Sequence, residues 1–301
     1  MNSSLPDLFP GFDTRTVDVN GTRLFCRIGG SGPPLLLLHG YPQSHVCWHK
    51  IAPALAEHFT VVAADLPGYG QSSVPDLSGD HAAYSKRAMA TGLAGLMQAL
   101  GHDRFSLAGH DRGGRVAYRM ALDHPARIDR LAVLDILPTS DYWVRMDRLF
   151  GLKVYHWTFL AQPAPFPENM IAAAAVPFLE HTLASWTAAK SLRCFSPEAL
   201  AHTRAWFRDP ARIAATCEDY RAGATLDYDH DRQTLDAGLK IAMPLLALWG
   251  DQGIASSVDA PLAVWRAWSD TVEGTGLPGG HFLPEEAPDE TLEALLMFFR
   301  R

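Results

Sequence analysis

A short stretch near residue 110 places one acidic and two basic side chains close together. Asp111 is the middle residue of Gly109-His110-Asp111-Arg112-Gly113, which has the Gly-x-nucleophile-x-Gly form of a sharp turn between a strand and a helix. Such a turn exposes the middle side chain at the end of a sheet, where a carboxylate can attack a carbon atom and form an ester. Arg112 and Arg115 follow within four positions and predict a substrate that carries negative charge.

Composition and charge limit the class of protein. The chain has 301 residues, 48% of them hydrophobic, so it can bury a large core as one α/β domain or two smaller ones. A net charge of −7 argues against a general nucleic-acid or membrane surface. The four cysteines have neither close pairing nor metal-ligand spacing, and residues 1–12 do not resemble a signal peptide. We therefore expect a cytoplasmic protein without a metal or cofactor.

Strand-like and helix-like patterns alternate along the first 138 residues. Alternation on both sides of Asn20-Gly21 predicts a β-hairpin. Helical stretches follow at about 46–56, 84–100 and 113–122. Between them lie continuous apolar runs, typical of parallel strands buried on both faces, at 34–38, 60–64, 105–108 and 131–136. The pattern predicts an α/β fold with a mostly parallel sheet flanked by helices.

The alternation stops near residue 139. The next hundred residues are rich in aromatic residues, Ala and Pro, and they have helical periodicity without a clear strand. The strand pattern resumes at 245–249 and is followed by a second helix–strand unit and a final helix. We predict a core domain formed by residues 1–138 and 240–301, with a helical cap domain, 139–239, inserted into it.

Several motifs in chain order resemble those of the capped α/β-hydrolases. They are His39-Gly40-Tyr41-Pro42, Asp65-Leu66-Pro67-Gly68-Tyr69-Gly70, Gly109-His110-Asp111-Arg112-Gly113, Trp249-Gly250 and Gly279-Gly280-His281-Phe282. Within that superfamily the chain is most similar to the fluoroacetate dehalogenases, through its Asp-Arg turn with a second Arg and two further runs, Tyr155–Trp157 and Cys217–Arg221. The resemblance implies the α/β-hydrolase fold and hydrolysis of 2-haloacetates, with fluoroacetate as the expected substrate.

A carboxylate nucleophile forms an ester, and a base is needed to activate the water that hydrolyses it. We predict that Asp111 displaces the halide and that His281, which must be neutral for this role, activates water against the ester. Two carboxylates compete to orient His281. Asp251 lies two residues before the position where many related hydrolases carry their acid, which is Gly253 here. The resemblance favours Asp135, which follows the preceding strand.

The remaining site predictions concern the substrate. Arg112 and Arg115 would clamp its carboxylate, because a guanidinium matches a carboxylate in a bidentate way. The resemblance assigns the halide to N–H and O–H donors of three side chains, which are His156, Trp157 and Tyr220. Further candidates for lining the pocket are Tyr41, Trp186 and Ile254.

Other readings use the same Asp-His-Asp relay. A haloalkane dehalogenase or an epoxide hydrolase often has Trp directly after the nucleophile, so Arg112 argues against neutral substrates. An epoxide hydrolase also needs two cap tyrosines, for which Tyr155 and Tyr220 are candidates. A non-catalytic receptor on the same fold is a third alternative, but such receptors often lose the relay, whereas Asp111, Asp135 and His281 are all present here. The resemblance further implies a homodimer, which no feature of the sequence itself indicates.

Overall fold

The computed structural model describes residues 5–77, 79–257 and 259–301. The first four residues of the stretch in which the sequence predicts no signal peptide lie outside the described residues. No helix in these three ranges is both long enough and apolar enough to cross a lipid bilayer.

Within the described ranges, eight strands form one sheet with the order β1-β2-β4-β3-β5-β6-β7-β8. The strands are β1 (Asp13–Val19), β2 (Thr22–Gly29), β3 (Pro34–Leu38), β4 (Thr60–Ala64), β5 (Phe105–His110), β6 (Ile128–Leu134), β7 (Leu245–Gly250) and β8 (Val272–Leu277). The predicted hairpin forms at Asn20-Gly21, and β2 is antiparallel to both β1 and β4. The other neighbouring pairs are parallel, which confirms the predicted α/β class.

The apolar runs form strands because both faces of the sheet are covered. In β3, Leu36 and Leu38 pack into one hydrophobic cluster, whereas Leu35 and Leu37 pack into the cluster on the opposite face. Successive side chains of a strand point to opposite faces, so an uninterrupted apolar run is buried throughout only when helices cover both sides. The core helices are α1 (Ala52–Ala56), α2 (Lys86–Ala99), α3 (Arg112–Asp123), α12 (Pro261–Trp268), α13 (Leu283–Glu286) and α14 (Pro288–Phe299).

The chain between β6 and β7 is helical. Its helices are α4 (Thr139–Val144), α5 (Arg148–Lys153), α6 (Tyr155–Leu160), α7 (Phe166–Ala172), α8 (Ala175–Trp186), α9 (Pro197–Phe207), α10 (Pro210–Ala224) and α11 (Leu226–Asp236). We call these eight helices and the loops between them the cap.

Two elements differ from the sequence prediction. The helix expected at 46–56 is a short 3₁₀ turn, His45–Trp48, followed by α1, which begins anew with a proline in its first turn. The strand expected at 131–136 ends at Leu134, because Asp135 has a positive φ of 50° and turns the chain out of the sheet.

The carboxyl ends of the parallel strands lie along one edge of the sheet. Tyr41 follows β3, Asp111 follows β5, Asp135 follows β6, Ile254 follows β7 and His281 follows β8. Ligands of open α/β sheets bind at this edge. The topology therefore gathers these residues, although they are widely spaced in the sequence.

Candidate active site

Asp111 occupies the sharp turn between β5 and α3. Its φ of 48° and ψ of −117° are strained for a residue other than glycine, and strain of this kind is concentrated at functional sites. The backbone N–H of Tyr41 donates to Oδ1 of Asp111 at 2.8 Å. This bond holds the carboxylate in one orientation and leaves Oδ2 as the oxygen that faces the site.

His281 connects two carboxylates. Its Nδ1 lies 2.6 Å from Oδ2 of Asp135, and its Nε2 lies 3.7 Å from Oδ2 of Asp111. All three side chains are buried, and Nε2 has no hydrogen-bond partner among the described residues. Because Nδ1 donates to Asp135, the neutral ring presents an unprotonated Nε2 toward Asp111, as a general base requires.

The structure brings Asp135, and not Asp251, to the imidazole. Asp135 also accepts from the backbone N–H groups of Gly250 at 3.1 Å and Ile254 at 3.0 Å. A Cβ atom on Gly253 would lie only 2.2 Å from Oδ1 of Asp135. The Asp135 carboxylate, directly after β6, thus fills the space that a side chain at position 253 would need, whereas Asp251 is exposed.

Electrostatics favour an ionised nucleophile and a basic imidazole. Burial alone would raise the pKa of Asp111, but the charges of His281, His110 and the two nearby arginines outweigh it and lower that pKa. Burial alone would lower the pKa of His281, but the hydrogen bond and charge of Asp135, together with the charge of Asp111, raise it. When Asp111 becomes an ester its charge disappears, so one contribution that raises the pKa of His281 is lost.

Arg112 is a buried cation that uses only part of its guanidinium group to bind other residues. Its Nε and Nη2 donate to the two carboxylate oxygens of Asp219 at 2.9 and 2.7 Å. The same carboxylate accepts from the hydroxyl of Tyr69 at 2.7 Å and from Nζ of Lys86. Nη1 of Arg112 is buried without a hydrogen-bond partner among the described residues. Asp219 therefore fixes the plane of the guanidinium group, and one N–H edge is left for an anionic ligand.

The sequence prediction missed Asp219 and Lys86. A local signal for Asp219 exists, because it directly precedes Tyr220 in a run already associated with the site. Lys86 has no such signal, because it begins a helix on the core and reaches the site only through the fold. Burial would raise the pKa of Asp219, but the charges of Arg112 and Lys86 hold that pKa well below its ordinary value.

Arg115 lies one turn further along α3. Its Nη1 donates to the carbonyl oxygen of Leu137 at 2.9 Å and to Oγ1 of Thr139 at 3.3 Å. Its Cζ lies 4.5 Å from the centroid of a Trp157 ring, within the range of a cation–π contact. Nε is buried and has no hydrogen-bond partner in the part of the chain that the structure describes.

The three predicted halide ligands come together. The ring centroids of His156 and Tyr220 are 5.6 Å apart, and those of Trp157 and Tyr220 are 6.2 Å apart. The Tyr220 hydroxyl and Nδ1 of His156 are buried and have no partner among the described residues. Burial drives the pKa of His156 well below its ordinary value, so its ring is neutral and keeps one N–H. Tyr155, in contrast, is 39% exposed.

The three candidate lining residues have different surroundings. The Tyr41 ring packs 5.4 Å from Tyr220, and its hydroxyl is buried without a partner among the residues described. Trp186 packs between His156 and His281, at centroid distances of 4.3 and 5.4 Å. Ile254 is buried and meets the site through its backbone bond to Asp135. No group of three or more His, Cys, Asp or Glu side chains in the described ranges is arranged to hold a metal ion.

Comparisons with known proteins agree with this geometry. The model of the alpha/beta hydrolase fold family matches residues 33–288. The chain belongs to the alpha/beta hydrolase family. It is 46% identical to a fluoroacetate dehalogenase of Burkholderia sp. over 97% of this chain and 95% of that protein, which confirms the resemblance predicted from the motifs.

Two further relatives of this hydrolase are not named as dehalogenases. It is 32% identical to a soluble epoxide hydrolase of Corynebacterium sp. (strain C12), over 93% of this chain and 95% of that protein. Among solved structures, a proposed alpha/beta hydrolase of Nostoc sp. PCC 7120 superposes with a TM-score of 0.92 at 49% identity, covering 95% of this chain and 97% of that chain.

The pairing of Arg112 with Asp219 yields a prediction about stability. Replacing Asp219 by Asn leaves the buried Arg112 without its bonded counter-charge, whereas Lys86 keeps Asp227 at 3.2 Å. The free energy of unfolding should therefore fall by about 3–5 kcal/mol. Urea unfolding measures this loss.

A matched control is the exposed pair Arg232–Asp236, 3.5 Å apart, where Asp236→Asn should cost less than about 1 kcal/mol. Equal losses at the buried and the exposed aspartate would contradict the account of Asp219.

Proposed function

We propose that the protein hydrolyses 2-haloacetates, converting fluoroacetate and water to glycolate and fluoride through an ester on Asp111. The observation that carries the proposal is a carboxylate nucleophile in line with a buried histidine base and beside a guanidinium that keeps one N–H edge unpaired. The 46% identity to a fluoroacetate dehalogenase supports the same reaction.

The first step is a displacement at the carbon that bears fluorine. Arg112 and Arg115 hold the substrate carboxylate and so present the adjacent carbon to Asp111. An electron pair of Oδ2 forms the new C–O bond while the C–F bond breaks, and the electrons of that bond leave with fluoride. Asp111 needs no base for this step, because its pKa lies below its ordinary value and it is ionised at neutral pH.

The leaving fluoride needs hydrogen-bond donors. His156, Trp157 and Tyr220 each carry an N–H or O–H group, and the unpartnered hydroxyl of Tyr220 supports this role. Hydrogen bonds to a charged group contribute about 1.5–3 kcal/mol each. Because the charge develops only as the C–F bond breaks, such donors stabilise the transition state more than the bound substrate.

The second step hydrolyses the ester. Nε2 of His281 takes a proton from water, which attacks the ester carbonyl carbon, while the Tyr41 N–H stabilises the negative charge on Oδ1. The bond between that carbon and the glycolate oxygen then breaks, and the imidazolium returns its proton to the departing oxygen. The regenerated Asp111 carboxyl group releases the remaining water proton to solvent.

The ester can be trapped by removing the base. In the His281→Asn variant, fluoroacetate should release about one fluoride per site and then stop, because the ester forms but is not hydrolysed. Intact-protein mass spectrometry should show one added carboxymethyl group, and peptide mapping should place it on Asp111. Asp111→Asn is the control and should release no fluoride. A variant that turns over without any mass increase would rule out the covalent route.

The two steps should depend differently on pH. Ester hydrolysis requires neutral His281, so on the acid side its rate should fall by about tenfold per pH unit below the pKa of that group in the ester. Displacement should persist there, because the pKa of Asp111 lies below its ordinary value. Rapid-quench experiments that measure fluoride and ester separately test this. Parallel losses of both rates on the acid side would contradict the assignment of His281 to the second step.

An epoxide hydrolase is the second candidate, favoured by the 32% identity to a soluble epoxide hydrolase. The buried, unpartnered Nη1 of Arg112 weighs against it, because a neutral epoxide would give this cation nothing to bind. Tyr155, the second tyrosine expected for an epoxide hydrolase, is moreover 39% exposed. We expect fluoride release from fluoroacetate and no detectable hydrolysis of styrene oxide at the same enzyme concentration. Turnover of styrene oxide without fluoride release would instead favour the epoxide hydrolase over the haloacetate dehalogenase.

We also propose that the protein is a cytoplasmic homodimer whose ligands are small anionic haloacids, and that it binds neither nucleic acid nor membranes. Support for the dimer comes from large apolar side chains exposed on the cap helices α4, α5 and α7, which are Val144, Leu149, Leu152, Phe166 and Met170. Sedimentation velocity over a range of concentrations measures the assembly state.

A further inference from the structure

Glu286, the last residue of α13, lies next to the general base but is not part of the relay. Its Oε2 accepts hydrogen bonds from the backbone N–H groups of Gly280 at 3.0 Å and Ala188 at 2.8 Å. Its Oε1 accepts from the backbone N–H of Phe282 at 2.9 Å. One carboxylate thus binds the residues on both sides of His281 and a residue of the cap.

The backbone N–H and carbonyl groups of His281 itself also form hydrogen bonds. Its N–H donates to the carbonyl oxygen of Trp186, the last residue of α8, at 3.0 Å, and its carbonyl oxygen is 2.8 Å from Nε2 of His110. The turn and the cap are in close contact, since a Cβ atom on Gly280 would lie 2.4 Å from the Ala188 nitrogen. Displacing the cap at this point would therefore displace the turn that carries the base.

Two carboxylates control the imidazole through different atoms. Asp135 bonds to Nδ1 and sets the rotation of the ring, whereas Glu286 bonds to the neighbouring amides and sets the position of the backbone. Nε2 must direct a water molecule at the carbonyl carbon of the Asp111 ester, and it lies 3.7 Å from Oδ2 of Asp111. An error of about 1 Å in such a geometry can cost on the order of 100-fold in rate.

We propose that Glu286 is a positioning residue that holds His281 in place for ester hydrolysis by tying residues 280–282 to Ala188 of the cap. The inference rests on the proposed function, and it assigns Glu286 to the second chemical step alone. Displacement by Asp111 does not need His281, so loss of Glu286 leaves the first step intact and slows the second.

The adjacent residue supplies a matched control. The side chain of Glu285 bonds with Gln43, and burial raises its pKa to about 8, so it is neutral at pH 7. A glutamine at this position keeps both the shape and the charge of the neutral acid. Glu285→Gln therefore tests whether any change at the end of α13 disturbs the site.

The experiment measures both steps in Glu286→Gln. Glutamine has one acceptor oxygen, and its NH₂ group would face an N–H donor, so the three bonds cannot all form. We expect a fluoride burst at the wild-type rate, followed by ester hydrolysis that is about 10- to 100-fold slower, with the ester visible in the intact mass. Glu285→Gln should keep the wild-type ratio of the two rates.

A second variant keeps the charge of the side chain and shortens it. Glu286→Asp retains both acceptor oxygens but withdraws them by one methylene group, so that they no longer reach all three N–H groups. Its ester hydrolysis should also slow, again with an unchanged fluoride burst. If Glu286→Gln does not fold, Glu286→Asp provides the test.

The outcomes distinguish the inference from the proposed function. Equal slowing of both steps, or no change in either, in the folded variants would overturn the role of Glu286. A wild-type protein that releases no fluoride would overturn the proposed function itself.

Discussion

The structure depends on how it pairs the charges that it removes from water. Arg112 and Asp219 are both buried, and an unpaired ion in such a place would cost several kcal/mol. Asp219 occupies two nitrogens of the guanidinium group, and Lys86 and Tyr69 complete the bonding of its carboxylate. The remaining edge of Arg112 lies in the same site as Asp111. The pairing that offsets the cost of burial therefore also leaves Nη1 without a partner among the described residues, and the proposed function assigns this nitrogen to the substrate carboxylate.

The same requirement attaches the cap to the core. Arg112, Arg115 and Arg119 are spaced by three and four residues, so they lie on one face of α3. Each of them bonds to the cap or to the chain that leads into it, and Nη2 of Arg119 lies 2.9 Å from Asp231 of α11. Apolar contact is non-directional, whereas guanidinium–carboxylate bonds have a fixed geometry. This row of arginines therefore specifies one orientation of the cap, in which its aromatic donors face the nucleophile.

Much of the site could be predicted because its parts sit at strand ends with local signatures. The turn at Asp111 and the hairpin at Asn20-Gly21 were predictable from residue types within a few positions. For Arg112 the sequence identified a cation near the nucleophile, but it did not identify Asp219 as the carboxylate that pairs with it. The early end of β6 was also missed, since a positive φ at Asp135 is maintained by bonds to residues more than a hundred positions away.

The sequence by itself determined the α/β alternation, the inserted helices and the turn that exposes Asp111, because strand periodicity and turn chemistry are local properties. The tertiary structure alone decided which carboxylate neutralises Arg112 and that Glu286 binds both sides of the base, and it brought to His281 the carboxylate of Asp135, which only the resemblance had favoured. Asp135 and His281 are 146 residues apart, and Arg112 and Asp219 are 107 apart. The register of the sheet and the position of the cap on the core determine which residues become such partners. A buried charge pairs with the opposite charge that the fold brings within hydrogen-bond distance.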